Sequence, residues 1–569
     1  MHDLVITGGL VVDGTGAPAR VADVVVDNGR VTDIVDGPGG ARGSLARRRV
    51  AAEGAVVTPG FVDVHTHYDG QATWDPCLAP SSWHGVTTVV MGNCGVGFAP
   101  VRPADRGRLI ELMEGVEDIP GTALHEGLSW EWESFPEYLD ALESRPHDVD
   151  VAAQLPHGAL RLYVMGERGA RREAASPEDV AEMARLAREA VEAGALGFTT
   201  SRTRNHRTST GEFTPTLTAA AGELAGIAAG LGEAGAGVLQ AVSDFADEKE
   251  ELASVLGMAE ASGRPLSISV AQSPRRPESY RSLLGAIAAA NAAGHTVRAQ
   301  VAARPVGLLL GLETTLHPLG ASPTARRLGA DAASLRDPAV RSRILAEVAA
   351  HPPTFPWEQL FQLGDPPDYE PTPESSIAAR AARRRVDPAE LALDILADGG
   401  RDTFLYLPFL NYAGGDLEAV REMLCHPDAV LGLGDGGAHV GTICDGSFPT
   451  TMLTHWVRDR TRGPRLPIEH AVAVQTSRTA DLVGLGDRGR LAPGYRADLN
   501  VIDLEALRLR APVISHDLPA NGRRLVQRAE GYLHTFVAGV ETYAGGEHTG
   551  PLPGGLVRGH RPRPRGATR

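Results

Sequence analysis

Residues 59–70 read PGFVDVHTHYDG. A Pro-Gly pair followed by an apolar, β-branched run predicts a strand over 60–67. Its end carries His65 and His67, two residues apart. Side chains alternate along a strand, so both imidazoles point to the same side. Two neutral imidazoles on one face are the start of a divalent-metal site. The competing reading is a pair of exposed histidines past the strand end.

Outward from this stretch the same texture recurs at 86–93, 149–157, 195–200, 237–243, 265–272, 296–302, 403–410 and 430–435. Alanine-rich helical runs separate the strands, such as PEDVAEMARLAREAVEAG and SYRSLLGAIAAANAAG. Repeated strand–helix units imply parallel strands covered by helices. This many of them predict an α/β fold, a (β/α)8 TIM-like barrel over 58–475, with an open doubly wound sheet as the alternative. Nine candidates compete for eight places, so one of the last three lies outside the barrel. Two long excursions, near 98–145 and 304–402, break the rhythm. Insertions after barrel strands sit on the catalytic face, so these are lid candidates or plain surface excursions. Residues 1–57 and 476–545 read as short strands and turns, with a hairpin signal at Asp27-Asn28-Gly29. Neither end can bury a sheet face alone, which predicts one small β-sandwich formed from both termini. The last stretch, 546–569, reads as a tail, and its low-complexity end RGHRPRPRGATR (558–569) as frayed.

The 569-residue chain is long enough for a large core. Its net charge of −16 argues against a general nucleic-acid or anionic-membrane surface. It holds one lysine, Lys249, against 54 arginines, so Schiff-base, Walker-type and carbamylated-lysine chemistry are nearly excluded. Four scattered cysteines make no disulfide scaffold and fit a reducing compartment. The N-terminal MHDLVITGGLVVDGTG has no signal-peptide pattern, and no run reaches 18 apolar residues. A cytoplasmic protein is expected, with no nucleic-acid or membrane partner and with self-association left open.

The ends, GFVDVHTH (60–67) and LGDRGRLAPGYRADLNVID (485–503), resemble the amidohydrolase superfamily. VTTVVMGNCGVGFAPVRP (86–103), GALGFTTSRTRNH (194–206) and LGDGGAHVGTICDGSFPTTMLTHW (433–456) resemble its N-acyl-D-amino-acid deacylase, or D-aminoacylase, branch. The resemblance spans nearly the whole chain. It implies a metal-bearing barrel with a β-sandwich, zinc, and hydrolysis of an amide on a small carboxylate-bearing substrate. Cys94, at the end of the second strand, matches the cysteine of that branch and is implied as a metal ligand. A thiolate there can ligate or bridge metal, although a lone cysteine can also be an inert buried thiol. Asp435 ends the last strand. The resemblance implies that it binds metal and acts as the catalytic base, and a carboxylate there suits both roles. His439, four residues on, touches substrate or a carboxylate, or is structural.

The chain departs from the family at the fifth and sixth strands, where the family has histidines. The fifth candidate carries Gln240, Ser243 and Asp244, and the sixth Ser269 and Gln272. Glutamine and serine are poor zinc ligands. His157 and His206 are available as recruits. The expectation is one tightly held zinc at His65, His67 and Asp435, with Cys94 as the one sure anchor for a second. Asp244 and Gln272 would form part of a polar pocket wall. Arg202, Arg204 and Arg304 lie near strand ends, and a guanidinium suits bidentate capture of a carboxylate. Surface charge is the competing reading. The leading function is a metal-dependent amidohydrolase acting on an N-acyl amino acid or similar small amide. The alternatives are cyclic-amide opening or a non-hydrolytic reaction at an altered metal site, and an inactive binding protein.

Overall fold

A computed structural model describes residues 1–37, 39–41, 43–329 and 331–565. Eight short parallel strands form the centre: β1 (Phe61–Asp63), β2 (Val86–Met91), β3 (Asp150–Ala153), β4 (Gly197–Arg202), β5 (Val238–Ser243), β6 (Leu266–Ser269), β7 (Val297–Val301) and β8 (Ala429–Leu431). Each pairs with the next in sequence, β3 reaching β4 through its continuation Leu155–Pro156. The ring closes at its mouth. Thr66 bridges Gly436, the His67 amide donates to the Gly436 carbonyl at 2.8 Å, and the Asp435 amide donates to the His65 carbonyl at 3.0 Å. The ends of β1 and β8 are therefore stitched together where the two histidines and the aspartate emerge.

The covering helices follow from ordinary capping. Pro177–Ala193 starts at Ser176, whose hydroxyl and the Asp179 carboxylate exchange hydrogen bonds with each other's backbone, and proline occupies its first turn. It stops at Gly194, whose φ of 114° suits only a residue without a side chain. Met183, Ala187, Ala190 and Val191 then lie on one buried face.

The ninth candidate strand belongs elsewhere. Leu405–Pro408 pairs antiparallel with Gly307–Leu310 and with Phe361–Gln362. This small sheet and the helices Pro338–Ala350, Ile377–Arg384 and Pro388–Gly399 share a separate apolar core that includes Leu310, Ile344, Leu391 and Leu405. The excursion near 304–402 is thus a packed unit inserted between β7 and β8.

The two ends of the chain build one nine-stranded sheet, in which Val56–Pro59 pairs with Leu499–Ile502. Its core mixes Leu4, Ile6, Val24 and Val57 with Leu499, Val501 and Phe536. The C-terminal stretch departs from the expected frayed tail. The amides of Val557, Gly559 and Arg561 donate to the carbonyls of Val151, Gly194 and Gly484 at 2.8–2.9 Å. Arg558 pairs with Glu143 at 2.8 Å and Arg563 with Asp481 at 2.9 Å. The arginines that looked solvated find carboxylates, and the backbone finds partners on the barrel. Residues 566–569 lie outside the described residues. Among the described residues no helix is long and apolar enough to cross a membrane.

Candidate metal centre and pocket

His65 and His67 leave β1 side by side and are fully buried. Cys94 reaches them from the turn after β2. That turn needs Gly92, whose φ is 86° and whose added Cβ would stand 2.1 Å from the Gln154 carbonyl oxygen. Cys94 itself has a φ of 55°, and beyond β8 Leu433, Asp435 and His439 have φ of 57°, 45° and 49°. Strained non-glycine backbone gathered at one end of a barrel marks a place where side-chain position outweighs local comfort.

The side chains converge. His65 Nε2 lies 3.3 Å from Cys94 Sγ and 3.3 Å from Asp435 Oδ1, and His67 Nε2 lies 3.6 Å from Asp435 Oδ1. One ligand atom each from His65, His67 and Cys94 falls within 4.8 Å of the others. Around a tetrahedral ion with the bond lengths of zinc sites, neighbouring N, O and S ligands stand about 3.3–3.6 Å apart. The His65–Cys94, His65–Asp435 and His67–Asp435 spacings match those edges. Both His67 nitrogens are buried without a hydrogen-bond partner. Unpaired buried polar atoms beside soft and imidazole donors fit a divalent cation. His65 Nδ1 donates to Gln300 Oε1 at 2.7 Å, which leaves Nε2 as the free lone pair, and Gln300 Nε2 donates to Ser267 Oγ at 2.9 Å.

Burial alone would raise the Asp435 carboxyl, but the imidazoles of His67, His65 and His439 outweigh it and hold Asp435 well below the ordinary carboxylate range. Burial pushes the Cys94 thiol well above its usual range, and the charges of Glu117, Asp435 and Asp69 add to this. A bound cation opposes that shift, because coordination favours the thiolate. Glu117 is fully buried at the end of the inserted helix α1 (Arg106–Glu117). Burial pushes its carboxyl well up, with Asp435 and Asp69 adding to the effect.

The cluster opens into a cavity of ≈ 350 Å³, reached by His206, Asp244, Ser269, Arg276 and His439. Phe245, Leu283, Val306 and Phe409 add an apolar part to its lining. A match to the amidohydrolase family covers residues 48–546.

The chain belongs to the amidohydrolase family.

Within the family it falls in the D-aminoacylase-like branch, and it is a hydrolase of carbon–nitrogen bonds other than peptide bonds. The sequence is 29% identical to a D-aminoacylase of Alcaligenes xylosoxydans xylosoxydans over 517 residues, covering 88% of each chain. A D-aminoacylase structure is similar to the amidohydrolase with a TM-score of 0.65 and 25% identity, covering 99% of this chain and 100% of that one. That enzyme has a binuclear metal centre described as showing one-metal activation and second-metal attenuation. An N-acyl-D-glutamate deacylase from Bordetella bronchiseptica, complexed with zinc and a phosphonate mimic of the tetrahedral intermediate, gives a TM-score of 0.63 at 25% identity. That match covers 98% of this chain and 99% of the deacylase.

In this amidohydrolase, His65, His67, Cys94 and Asp435 come together, and His206, Asp244 and His439 face the cavity. His206 Nδ1 meets Ser201 Oγ at 2.9 Å. Burial first, then the nearby His439 and His67, push it down to about 3, so it is neutral. Asp244 Oδ1 accepts from Thr203 Oγ1 at 2.5 Å and Oδ2 from the Arg204 amide at 2.8 Å.

Four expected pocket residues lie elsewhere. His157 is locked between Thr200 Oγ1 at 2.8 Å and Glu223 Oε1 at 3.0 Å, a carboxylate it shares with Arg161. Arg202 gives its guanidinium to the Ala219 carbonyl. Arg304 is fully buried against Asp445 at 3.2 Å and lies 3.6 Å from the Tyr369 ring centroid, so it holds the fold rather than a ligand. Gln272 accepts from the Ala413 amide at 3.0 Å and braces that loop. In each case a protein partner closer than the cavity takes the polar head. The sequence reading missed Glu117, Gln300 and Arg276. Glu117 did leave a signal. It stands four residues after Met113 and eight after Leu109, on the buried stripe of α1, where a charge is out of place.

Proposed function

We propose that this amidohydrolase is a cytoplasmic, zinc-dependent deacylase that hydrolyses the amide of an N-acyl-D-amino acid. The observation that carries the reading is the convergence of His65, His67 and Cys94, with ligand atoms within 4.8 Å of one another, and of Asp435 Oδ1, 3.3 and 3.6 Å from the two imidazoles, beside the cavity. These four residues would hold one zinc, which when bound polarises the amide carbonyl and makes water nucleophilic near neutral pH. Asp435, kept ionised by the imidazoles around it, takes the proton of the attacking water. Asp435 then passes that proton to the leaving nitrogen. Arg276 lines the cavity while its Nη1 and Nη2 donate to the Phe245 and Asp244 carbonyls at 2.6 Å, and its remaining N–H groups are the ones we assign to the substrate carboxylate. The apolar part of the lining takes the acyl chain or the side chain and keeps water out. The unpaired state of Cys77, Cys94, Cys425 and Cys444 supports the cytoplasmic assignment.

The test is a screen of N-acetyl-D- and N-acetyl-L-amino acids with zinc-loaded protein. Hydrolysis of D substrates is expected, lost on chelation and restored by zinc. Asp435→Asn should lower kcat by about 10²–10⁴-fold, and Arg276→Ala should raise KM. No hydrolysis of any N-acyl amino acid by zinc-loaded protein would overturn the reading.

A further inference from the structure

His65 and His67 are unequal in their surroundings. His65 has a neutral partner for its outer nitrogen, the Gln300 amide. The outer nitrogen of His67 faces a carboxylate: His67 Nδ1 lies 3.3 Å from Glu117 Oε1. The other oxygen, Oε2, lies 3.5 Å from His439 Nε2. Both Glu117 oxygens are buried without a hydrogen-bond partner, so the contacts are close without yet being aligned hydrogen bonds. A buried carboxyl group without donors is held toward its neutral form, and imidazole N–H groups aligned on it favour the carboxylate.

The backbone leaves Glu117 little freedom. Its carbonyl accepts from the His439 amide. Two residues earlier, Gly115 packs so tightly that an added Cβ would meet the Thr208 carbonyl carbon at 2.1 Å. One residue later, Asp118 turns with a φ of 51° and accepts from Thr315 Oγ1 at 2.9 Å. The helix end is thus pinned to the loop after β4, to the loop after β8 and to the unit inserted after β7. This pinning aims the carboxylate inward, at two histidines that belong to opposite sides of the barrel seam.

We infer that Glu117 is a positioning residue that the inserted helix α1 carries across the barrel mouth, fixing the ring orientation and tautomer of His67 and His439. With hydrogens on His67 Nδ1 and His439 Nε2 facing the carboxylate, His67 Nε2 is left as the lone pair toward Asp435. The Nδ1 atom of His439 is left as an acceptor. A carboxylate behind a ligating histidine fixes its tautomer and raises its basicity. The inference rests on the proposed metal site at His67. It adds that one excursion from the barrel, far from a bare lid, completes that site.

The experiment compares zinc affinity, by competition with a chromophoric chelator, in the full-length wild type, Glu117→Gln and Glu117→Leu. Leucine fills the space with no acceptor, while glutamine keeps one. Zinc should bind about 10–100-fold more weakly to Glu117→Leu, with Glu117→Gln restoring part of the loss. The metal-free Tm of the leucine variant should not fall below that of the wild type. Histidine ¹⁵N spectra of the metal-free protein should show one fixed tautomer for His67 in the wild type and exchange in Glu117→Leu. Wild-type zinc affinity in both variants would overturn the positioning role and leave the deacylase reading standing. So would a zinc loss in Glu117→Leu that merely follows a fall in Tm, with no rescue by glutamine. Failure of the wild type itself to bind zinc would overturn the metal site and the inference with it.

Discussion

Replacing Gln300 by leucine removes the acceptor that sets the His65 tautomer. His65 Nδ1 lies 2.7 Å from Gln300 Oε1, and both residues are almost completely buried, at 0% and 2% exposure. No water can take over, so the Nδ1–H is left unpaired at about 1–3 kcal/mol. The imidazole escapes part of this cost by moving its hydrogen to Nε2, the nitrogen that faces Cys94 and Asp435. If the whole cost falls on the metal-competent tautomer, about 1.4 kcal/mol per decade converts it to roughly 5–150-fold weaker zinc binding. Outer partners of ligating histidines typically give about 10–100-fold, which agrees. Gln300→Glu keeps the acceptor and adds charge, so zinc affinity should be retained or tightened. Isothermal titration with zinc, alongside circular dichroism to follow the fold, reads both variants. Wild-type affinity in a folded Gln300→Leu protein would refute the reasoning. An equal loss in Gln300→Glu would refute it as well.

Further outcomes follow from the same packing. Leu499, fully buried in the core shared by the two ends of the chain, should cost about 2–5 kcal/mol as Leu499→Ala. Denaturant unfolding should show this loss, and no loss would mean that the shared sheet adds little. Arg304→Ala should lower stability by about 3–5 kcal/mol, because it strands Asp445 in the interior, while KM in the material that stays folded should hold. A raised KM with unchanged stability would return Arg304 to the pocket. Burial pushes the Asp69 carboxyl up to about 7, against the hydrogen bond from the Gly92 amide. Its folded pKa lies above its unfolded one, so its contribution to stability is full below about pH 4 and is lost as pH rises through about 7. Metal-free wild type should therefore lose up to about 1.4 kcal/mol per pH unit from this group between pH 4 and 7, and Asp69→Asn should flatten that slope. Parallel slopes would show that Asp69 does not titrate there.

The barrel was legible because strands buried on both faces read as continuous apolar runs, and eight of them alternate with helices. The run at 403–410 has the same composition because Leu405 is equally buried, in the core of the inserted unit. Local sequence reports burial but not which sheet provides it. His65 and His67 were legible through their spacing, and Cys94 and Asp435 through the stretches around them. The roles of Arg202 and Arg304 stay open in the sequence because a guanidinium that braces a carbonyl or a buried aspartate looks the same there as one that awaits a ligand. Gln300 and Glu117 lie in a strand and a helix with no motif of their own. Only the closure of β7 and β8 onto β1, and the return of α1 over the barrel mouth, bring them to the histidines.

The site should hold one metal at one place. A crystal of zinc-loaded protein, measured on either side of the zinc absorption edge, tests it directly. One anomalous peak is expected among His65 Nε2, His67 Nε2, Cys94 Sγ and Asp435 Oδ1, with bond lengths of about 2.0–2.3 Å. No peak there, or two full peaks with the second held by His206, would contradict it.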